Sequence, residues 1–485
     1  MHNRTRLRAG RLPALALAAA LLAGCAMGPD YRAPELMLPD EWPEHVMLSA
    51  EARQEWQSWW TRFEDPSLDR VVERAVADNL DIRLQLARIE EARARLGLAR
   101  AEQLPSVGAQ AEASRERTPG TASPLGQTTT GNLFSLAGVL NYELDLWGRL
   151  DREREASEAL LEQSEFARDA VRLNVIGDVV ATYFDLRNAE RQLRITEETV
   201  ASREETYRIE QIRFDSGETG ELALRQAQSE LETTRAQLPG QKQRVRLLEG
   251  ALAILVGMTP AELMEELDFG TTQLADIVLP EGVPAVLPSS LLQRRPDIRS
   301  AEAGLIAANA SIGVAEASRL PTLNLGGFLG TAAGDSRDLF TTAAQTWGLS
   351  ATVMGPLFDF GRSRSRVDTA EALAAQAEVQ YRATVNQAFN EVRNALVTFE
   401  TSGERIEATR AQVEALARTL ELAEVRYREG FVGFIELLDA QRALLSAELA
   451  LSEAMRDRLT ATATLFKALG GGWESDLPGE QPADV

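Results

Sequence analysis

Short segments in which apolar and polar residues alternate one for one are separated by very long segments with a period near three and a half. Val107, Ala109, Ala111 and Ala113 alternate with Gly108, Gln110, Glu112 and Ser114, and Phe134, Leu136, Gly138, Leu140, Tyr142 and Leu144 alternate with Ser135, Ala137, Val139, Asn141, Glu143 and Asp145. Leu323, Leu325, Gly327 and Leu329, then Trp347, Leu349, Ala351 and Val353, repeat the pattern later in the chain. Period two puts one set of side chains on one face of a strand. Strands are therefore predicted at about 106–116, 133–146, 322–331 and 346–357, each pair joined by a Gly/Thr/Ser-rich stretch. Pro105 and Pro321 end the helices that enter the pairs, and Gly148 and Gly361 turn the strands back into helix.

The segments that follow each pair contain almost nothing that breaks a helix. From Leu150 to Phe214 there is no proline and one glycine, Gly177, and from Arg362 to Tyr427 again no proline and one glycine, Gly403. Helices over 150–214 and 362–427 would each be about 100 Å long, against roughly 60 Å across for a compact globule of this length. An elongated molecule is expected. Along the second run Ile406, Thr409, Val413, Leu416, Leu420, Ala423 and Tyr427 step by three and four, the seam of a coiled coil. Its partner is the return segment 434–469, reached through Gly430 and Gly433. The first repeat does the same around Gly217 and Gly220 with a return helix 221–256, kinked near Pro239 and Gly240.

The chain is thus written twice. Asp81-Ile82-Arg83 recurs as Asp297-Ile298-Arg299 and Leu104-Pro105-Ser106 as Leu320-Pro321-Thr322, both at one offset along the chain. Trp147-Gly148-Arg149 recurs as Phe360-Gly361-Arg362, Arg213 to Gly217 as Arg426 to Gly430, and Leu255-Val256-Gly257 as Ala468-Leu469-Gly470, all at a second offset shorter by three. The slip of three falls between Pro105 and Trp147, so a loop is expected there. Residues 67–280 form the first repeat and 281–472 the second, followed by a tail at 473–485. The fold class is α+β, mainly α.

Strands of about ten residues have the length to cross a membrane. Four cannot close a barrel, because an open edge in hydrocarbon leaves backbone groups unpaired. Two copies would give eight strands filled by side chains, and three would give twelve around a lumen. Three are favoured, since a wide duct is the evident use for such long paired helices. A homotrimer with a 12-stranded β-barrel above a 12-helix α-barrel is therefore expected.

Composition sharpens this picture. Of 485 residues 44% are hydrophobic and 26% charged, with a mean hydropathy of −0.20, which rules out a helical membrane bundle. A net charge of −22 is the wrong field for nucleic-acid phosphates, so no nucleic-acid partner is expected. Two histidines, His2 and His45, leave little for metal ligation or base catalysis, and Asp215-Ser216-Gly217 and Gly334-Asp335-Ser336 sit in predicted turns, so neither an enzyme nor a metal site is expected. No cofactor is expected either. The single cysteine has a different context. Arg4, Arg6, Arg8 and Arg11 precede an apolar run from Leu12 to Leu22, then Leu22-Ala23-Gly24-Cys25, an export signal at 1–24 too short to span a bilayer. Its removal takes four positive charges with it, so the net charge falls from −22 to −26. Residues 25–66 read as an N-terminal tether, extended from Gly28 to Pro43.

Leu22-Ala23-Gly24-Cys25 resembles the bacterial lipobox, which implies a covalent lipid on Cys25, with Ala26 pointing to outer-membrane delivery. The whole chain resembles the TolC-like outer-membrane efflux family, in its lipoprotein branch. The resemblance is carried by Trp59-Trp60, Phe63, Asp65-Pro66, Asn79-Leu80-Asp81-Ile82, Leu144 to Arg149, Arg294 to Ile298 and Leu438-Asp439-Ala440-Gln441-Arg442, in this order within a tandem repeat. It implies an exit duct of a tripartite pump in the outer membrane, a periplasmic membrane-fusion adaptor and an inner-membrane partner of the resistance-nodulation-division type. Family gate positions map onto Glu436 and Asp439 as carboxylate rings and onto Tyr427 as a link, while Val432 departs from the arginine or aspartate common at that place. The turns at Gly217, Gly220, Gly430 and Gly433 are where the adaptor is expected to grip. Glu436 and Asp439 also suit the start of a helix on dipole grounds alone, as the four glycines suit plain caps.

Overall fold

The structure is a computed structural model and describes residues 27–39, 42, 48–49, 57–122, 126–265, 267–280, 283–284 and 288–472. The export signal, Cys25, His45 and the tail at 473–485 lie outside these residues.

The chain is mainly helical with one four-stranded sheet. In order come α1 (Pro66–Asp78), α2 (Leu80–Glu102), β1 (Ser106–Thr118), β2 (Thr129–Leu144), α3 (Arg149–Asp215), α4 (Glu221–Arg235) and α5 (Leu238–Leu255). Then come α6 (Pro296–Ala317), β3 (Thr322–Ala333), β4 (Gln345–Met354), α7 (Arg362–Arg428) and α8 (Phe434–Ala468). Two compact units result, and neither is a sequence repeat. One holds Arg88–Ser164 and Ser300–Arg382 with the residues up to Glu35; the other holds Leu36–Ala87, Glu165–Arg299 and Ala383–Val485. Each takes matching pieces of both repeats.

In the first unit the sheet runs β1-β2-β3-β4, antiparallel throughout, so β1 and β4 are its edges. Ser106 opposes Asn141 in the first hairpin and Thr322 opposes Met354 in the second. Ser106 and Thr322 are related by the longer repeat offset and Asn141 and Met354 by the shorter, which puts the slip of three in the hairpin loop, where loop length is free to vary. Residues 27–35 of the tether have no helix and are held to this unit at several points. Met27 N–H donates to Trp147 O at 3.1 Å, Arg152 donates to Met27 O at 3.1 Å and pairs with Asp30 at 2.8 Å, and the Tyr31 hydroxyl donates to Glu302 at 3.2 Å. The strap lies so close to α6 that a Cβ on Gly28 would meet Gly313 Cα at 2.5 Å.

The second unit has an aromatic core. Trp59 stacks on Phe466 with centroids 5.7 Å apart, and Phe63 packs edge-on against Phe184 at 5.0 Å. Residues 59–63, assigned by sequence to the tether, are instead a short 3-10 helix whose Trp59, Trp60 and Phe63 are buried. Isolated aromatics have no period to reveal this. Asp65 caps α1 by accepting from Ser67 N, and its carboxylate also accepts from the Tyr183 and Thr272 hydroxyls at 2.6 and 2.9 Å. The helix expected over 221–256 is divided: α4 stops at Arg235 and α5 starts at Leu238. Pro239 cannot donate to the carbonyl of Arg235 and its ring crowds it, so the ladder ends four residues before the proline. Along α7 the seven seam residues from Ile406 to Tyr427 are the only ones between Glu404 and Arg428 that are not exposed.

Candidate functional site

Two places carry the features that the sequence singled out: the helix turns of the second unit and the sheet of the first. At the turns the repeats match to within a few degrees. Gly217 (φ +80) and Gly430 (φ +75) take the left-handed conformation that lets a helix end with its carbonyls satisfied. Glu218 N–H donates to Arg213 O and Phe431 N–H to Arg426 O, both at 2.8 Å. Gly220 and Gly433 are extended N-caps of α4 and α8. The four glycines therefore form two equivalent turns.

Tyr427 lies one turn before the second of these, half-buried. Its hydroxyl donates to Glu210 Oε1 at 2.8 Å, its ring meets Phe434 edge-on at 5.7 Å, and the Arg213 guanidinium lies 5.2 Å from its centroid. Burial, then the Glu210 carboxylate, pushes the phenol up to about 12. Glu210 is itself buried, and its Oε2 has no hydrogen-bond partner among the described residues. A second link lies on the return helices: Arg442 Nε and Nη2 donate to Glu230 Oε2 at 2.9 and 2.6 Å, with Arg203 3.7 Å from the other oxygen. The bond to Glu230 raises the Arg442 guanidinium, while burial lowers that of Arg203. Each link joins a helix of the second repeat to one of the first, and Tyr427 also packs against an apolar cluster of Phe434, Leu437, Leu438 and Ala227.

Glu436 and Asp439 stand one turn apart on the exposed face of α8, free of that cluster. Asp439 comes within 4.0 Å of Arg442, and the structure brings neither carboxylate to Tyr427. Sequence reasoning did not single out Glu210, Glu230 or Arg203. The available signal was a charge where the coiled-coil spacing asks for an apolar residue; the choice of partner, in the other repeat, has no local trace.

The sheet is one-sided. Its register sets Val107 beside Leu140, Leu140 beside Gly327 and Gly327 beside Leu349, and every second residue extends the same apolar face through Ala109, Leu136, Leu325 and Val353. The opposite face carries Gln110, Glu112, Ser135, Asn141, Asn324, Ser350 and Thr352. The apolar face is solvent-accessible, with Trp347, Leu349 and Val353 among the most exposed large apolar residues. Among the described residues no helix is long and apolar enough to cross a membrane, and no cluster of three His, Cys, Asp or Glu side chains is placed to hold a metal.

The family model described as "Outer membrane efflux protein" matches residues 71–258 and 287–471. The chain belongs to that family. It is 34% identical over 471 residues to the antibiotic efflux pump outer membrane protein ArpC of Pseudomonas putida, covering 95% of this chain and 96% of the relative. It is 30% identical over 453 residues to the cation efflux system protein CusC of Escherichia coli strain K12, covering 93% and 97%. The solved outer membrane channel CmeC of Campylobacter jejuni superposes with a TM-score of 0.86 at 30% identity, covering 93% of this chain and 96% of that one. As a member of the family the chain is an outer-membrane efflux channel protein, not an enzyme. A sheet with one apolar, exposed face fits that address, because strands satisfy their backbone groups by pairing with one another.

Proposed function

We propose that three copies of the chain share one twelve-stranded barrel in the outer membrane and continue it as a twelve-helix tunnel, the passive exit duct of a tripartite efflux pump. The observation that carries this reading is the four-stranded sheet with one apolar, exposed face and two unpaired edges. Each unpaired backbone group in hydrocarbon costs several kcal/mol, and single-chain barrels need at least eight strands. Twelve strands pair every edge and leave a lumen lined by the polar face.

At the helix turns, three copies of Glu436 and of Asp439 around a threefold axis form rings that attract cations and repel one another at close range. The Tyr427–Glu210 link holds the hairpins that carry them. A periplasmic membrane-fusion adaptor engages the turns at Gly217, Gly220, Gly430 and Gly433, and an inner-membrane pump of the resistance-nodulation-division type delivers the cargo. A lipid on Cys25 anchors the chain, two residues before the point where Met27 is fixed beside Trp147. One relative is named for antibiotics and another for cations, which supports a duct whose cargo is chosen in the pump.

Native mass spectrometry of the purified lipoprotein is the test. Three chains per particle are expected, and monomers alone would overturn the shared barrel. Cys25→Ser should abolish palmitate labelling; a label that persists would place the lipid elsewhere.

A further inference from the structure

We infer that Arg115 and Arg117, with Thr130 and Asn132 beside them, form a phosphate-binding patch for the anionic glycolipid of the outer leaflet, one patch per chain on the lipid-facing side of the sheet. This inference rests on the shared-barrel reading, which sets the apolar face of the sheet against hydrocarbon, and adds a lipid ligand to it.

Charge in the sheet sorts by sign between the two faces. The charged residues of the four strands are Glu112, Glu116 and Glu143, with Arg115 and Arg117. Alternation puts the carboxylates on the polar face with Gln110, Ser135 and Asn141, and both guanidiniums at the end of the apolar row of Val107, Ala109, Ala111 and Ala113. Arg115 opposes Asn132 and Arg117 opposes Thr130 in β2, so an amide and a hydroxyl stand beside the guanidiniums on the same face. All of these side chains are exposed, and neither arginine has an ion-pair partner among the described residues. That departs from the pattern of a chain with 73 acidic and 51 basic residues, in which arginines of the helices find carboxylates, as Arg154 does with Asp151 and Glu158 and Arg235 with Glu204.

Depth follows from strand geometry. The strands meet the helices at Ser106 and Leu144, and their other ends carry the hairpin loops, which face the exterior when the helices occupy the periplasm. At about 3.4 Å per residue and a tilt near 40°, Arg115 lies roughly 21 Å from Val107 along the membrane normal and Arg117 roughly 26 Å. The apolar band of such barrels is about 25 Å tall, so the two guanidiniums bracket its outer edge. In β2 the same row turns polar beside them, passing from Phe134 to Asn132. At that level the outer leaflet presents sugars bearing phosphates, and a guanidinium fork matches phosphate oxygens with parallel N–H donors. The second repeat shows the row without its cations. The longer repeat offset carries Arg115 to Thr331 and Arg117 to Ala333, the shorter carries Asn132 to Gln345, and Thr331 opposes Gln345 as Arg115 opposes Asn132. One patch per copy remains.

Native mass spectrometry of the full-length lipoprotein, titrated in detergent with bis-phosphorylated lipid A, tests the patch. Each trimer should retain up to three lipid A molecules, and lipid A stripped of both phosphates but with the same acyl chains should bind at least tenfold more weakly. That comparison uses the natural protein, so it does not depend on a variant folding. Arg115→Gln with Arg117→Gln should cause a loss of similar size for the phosphorylated lipid. Arg337→Gln, which removes an 86% exposed guanidinium from the loop between β3 and β4, should leave binding unchanged. Equal retention of the two lipids overturns the inference, because the arginines would then only turn their heads to water above an apolar belt. Undiminished binding by the double variant overturns it as well. Inorganic phosphate at the same concentration should not bind; binding as tight as that of lipid A, with the same dependence on the arginines, would make the patch a site for a soluble anion and overturn the lipid. Trimers without any preference for phosphates sink this inference and leave the shared barrel standing, whereas monomers alone would remove both.

Discussion

Tyr427 and Glu210 form the most consequential pair of side chains at the helix turns. A buried carboxylate with one unpartnered oxygen depends on the few donors it has, so Tyr427→Phe should destabilise the second unit by about 1–3 kcal/mol, read as a lower melting midpoint. Tyr427 has its pKa raised to about 12 from an ordinary value of 10, so the bond contributes fully below pH 10 and is lost as pH rises through 12. The Tyr427→Phe deficit should therefore be constant between pH 6 and 9; a deficit that vanished in that window would show the link titrating elsewhere. Tyr427 was legible in the sequence but its partner was not, because the charge at Glu210 interrupts the coiled-coil spacing without showing which residue of the other repeat it meets.

At the scale of elements, what the sequence makes legible is what local periodicity encodes. Strands β1 to β4 follow from alternation, and α3 and α7 from the absence of proline and glycine, to within a few residues at their ends. The paired repeats also reach into the joints between helices. Asn79 Nδ2 donates to Leu255 O at 2.8 Å and Arg295 Nη1 to Ala468 O at 3.2 Å, places made equivalent by the two repeat offsets. Gly257 and Gly470 allow both joints: a Cβ on Gly257 would lie 2.3 Å from Asp78 O, and one on Gly470 2.8 Å from Arg294 O. Gly430 has the same left-handed backbone with open space around it. Gly430→Ala should thus cost about 1 kcal/mol, the backbone penalty alone, and Gly257→Ala several times more in thermal unfolding. Equal effects would contradict the joint. The pairing of Leu48–Ser49 with Val283–Pro284 has no sequence signal, being two short segments that lie far apart along the chain.

For the whole molecule, a mean hydropathy of −0.20 hides a membrane protein because a few apolar strand faces are diluted among long polar helices. In the proposed barrel the edges of the four-stranded sheet are closed by copies of itself, and the proposed rings of Glu436 and Asp439 would give the net acidity a place to act. Conductance in planar bilayers tests this account most directly. The purified protein should give sparse, cation-preferring openings, and replacing Glu436 and Asp439 together by alanine should raise open probability at least tenfold and weaken the cation preference. A membrane that stays sealed with both the natural protein and the double variant would contradict the duct.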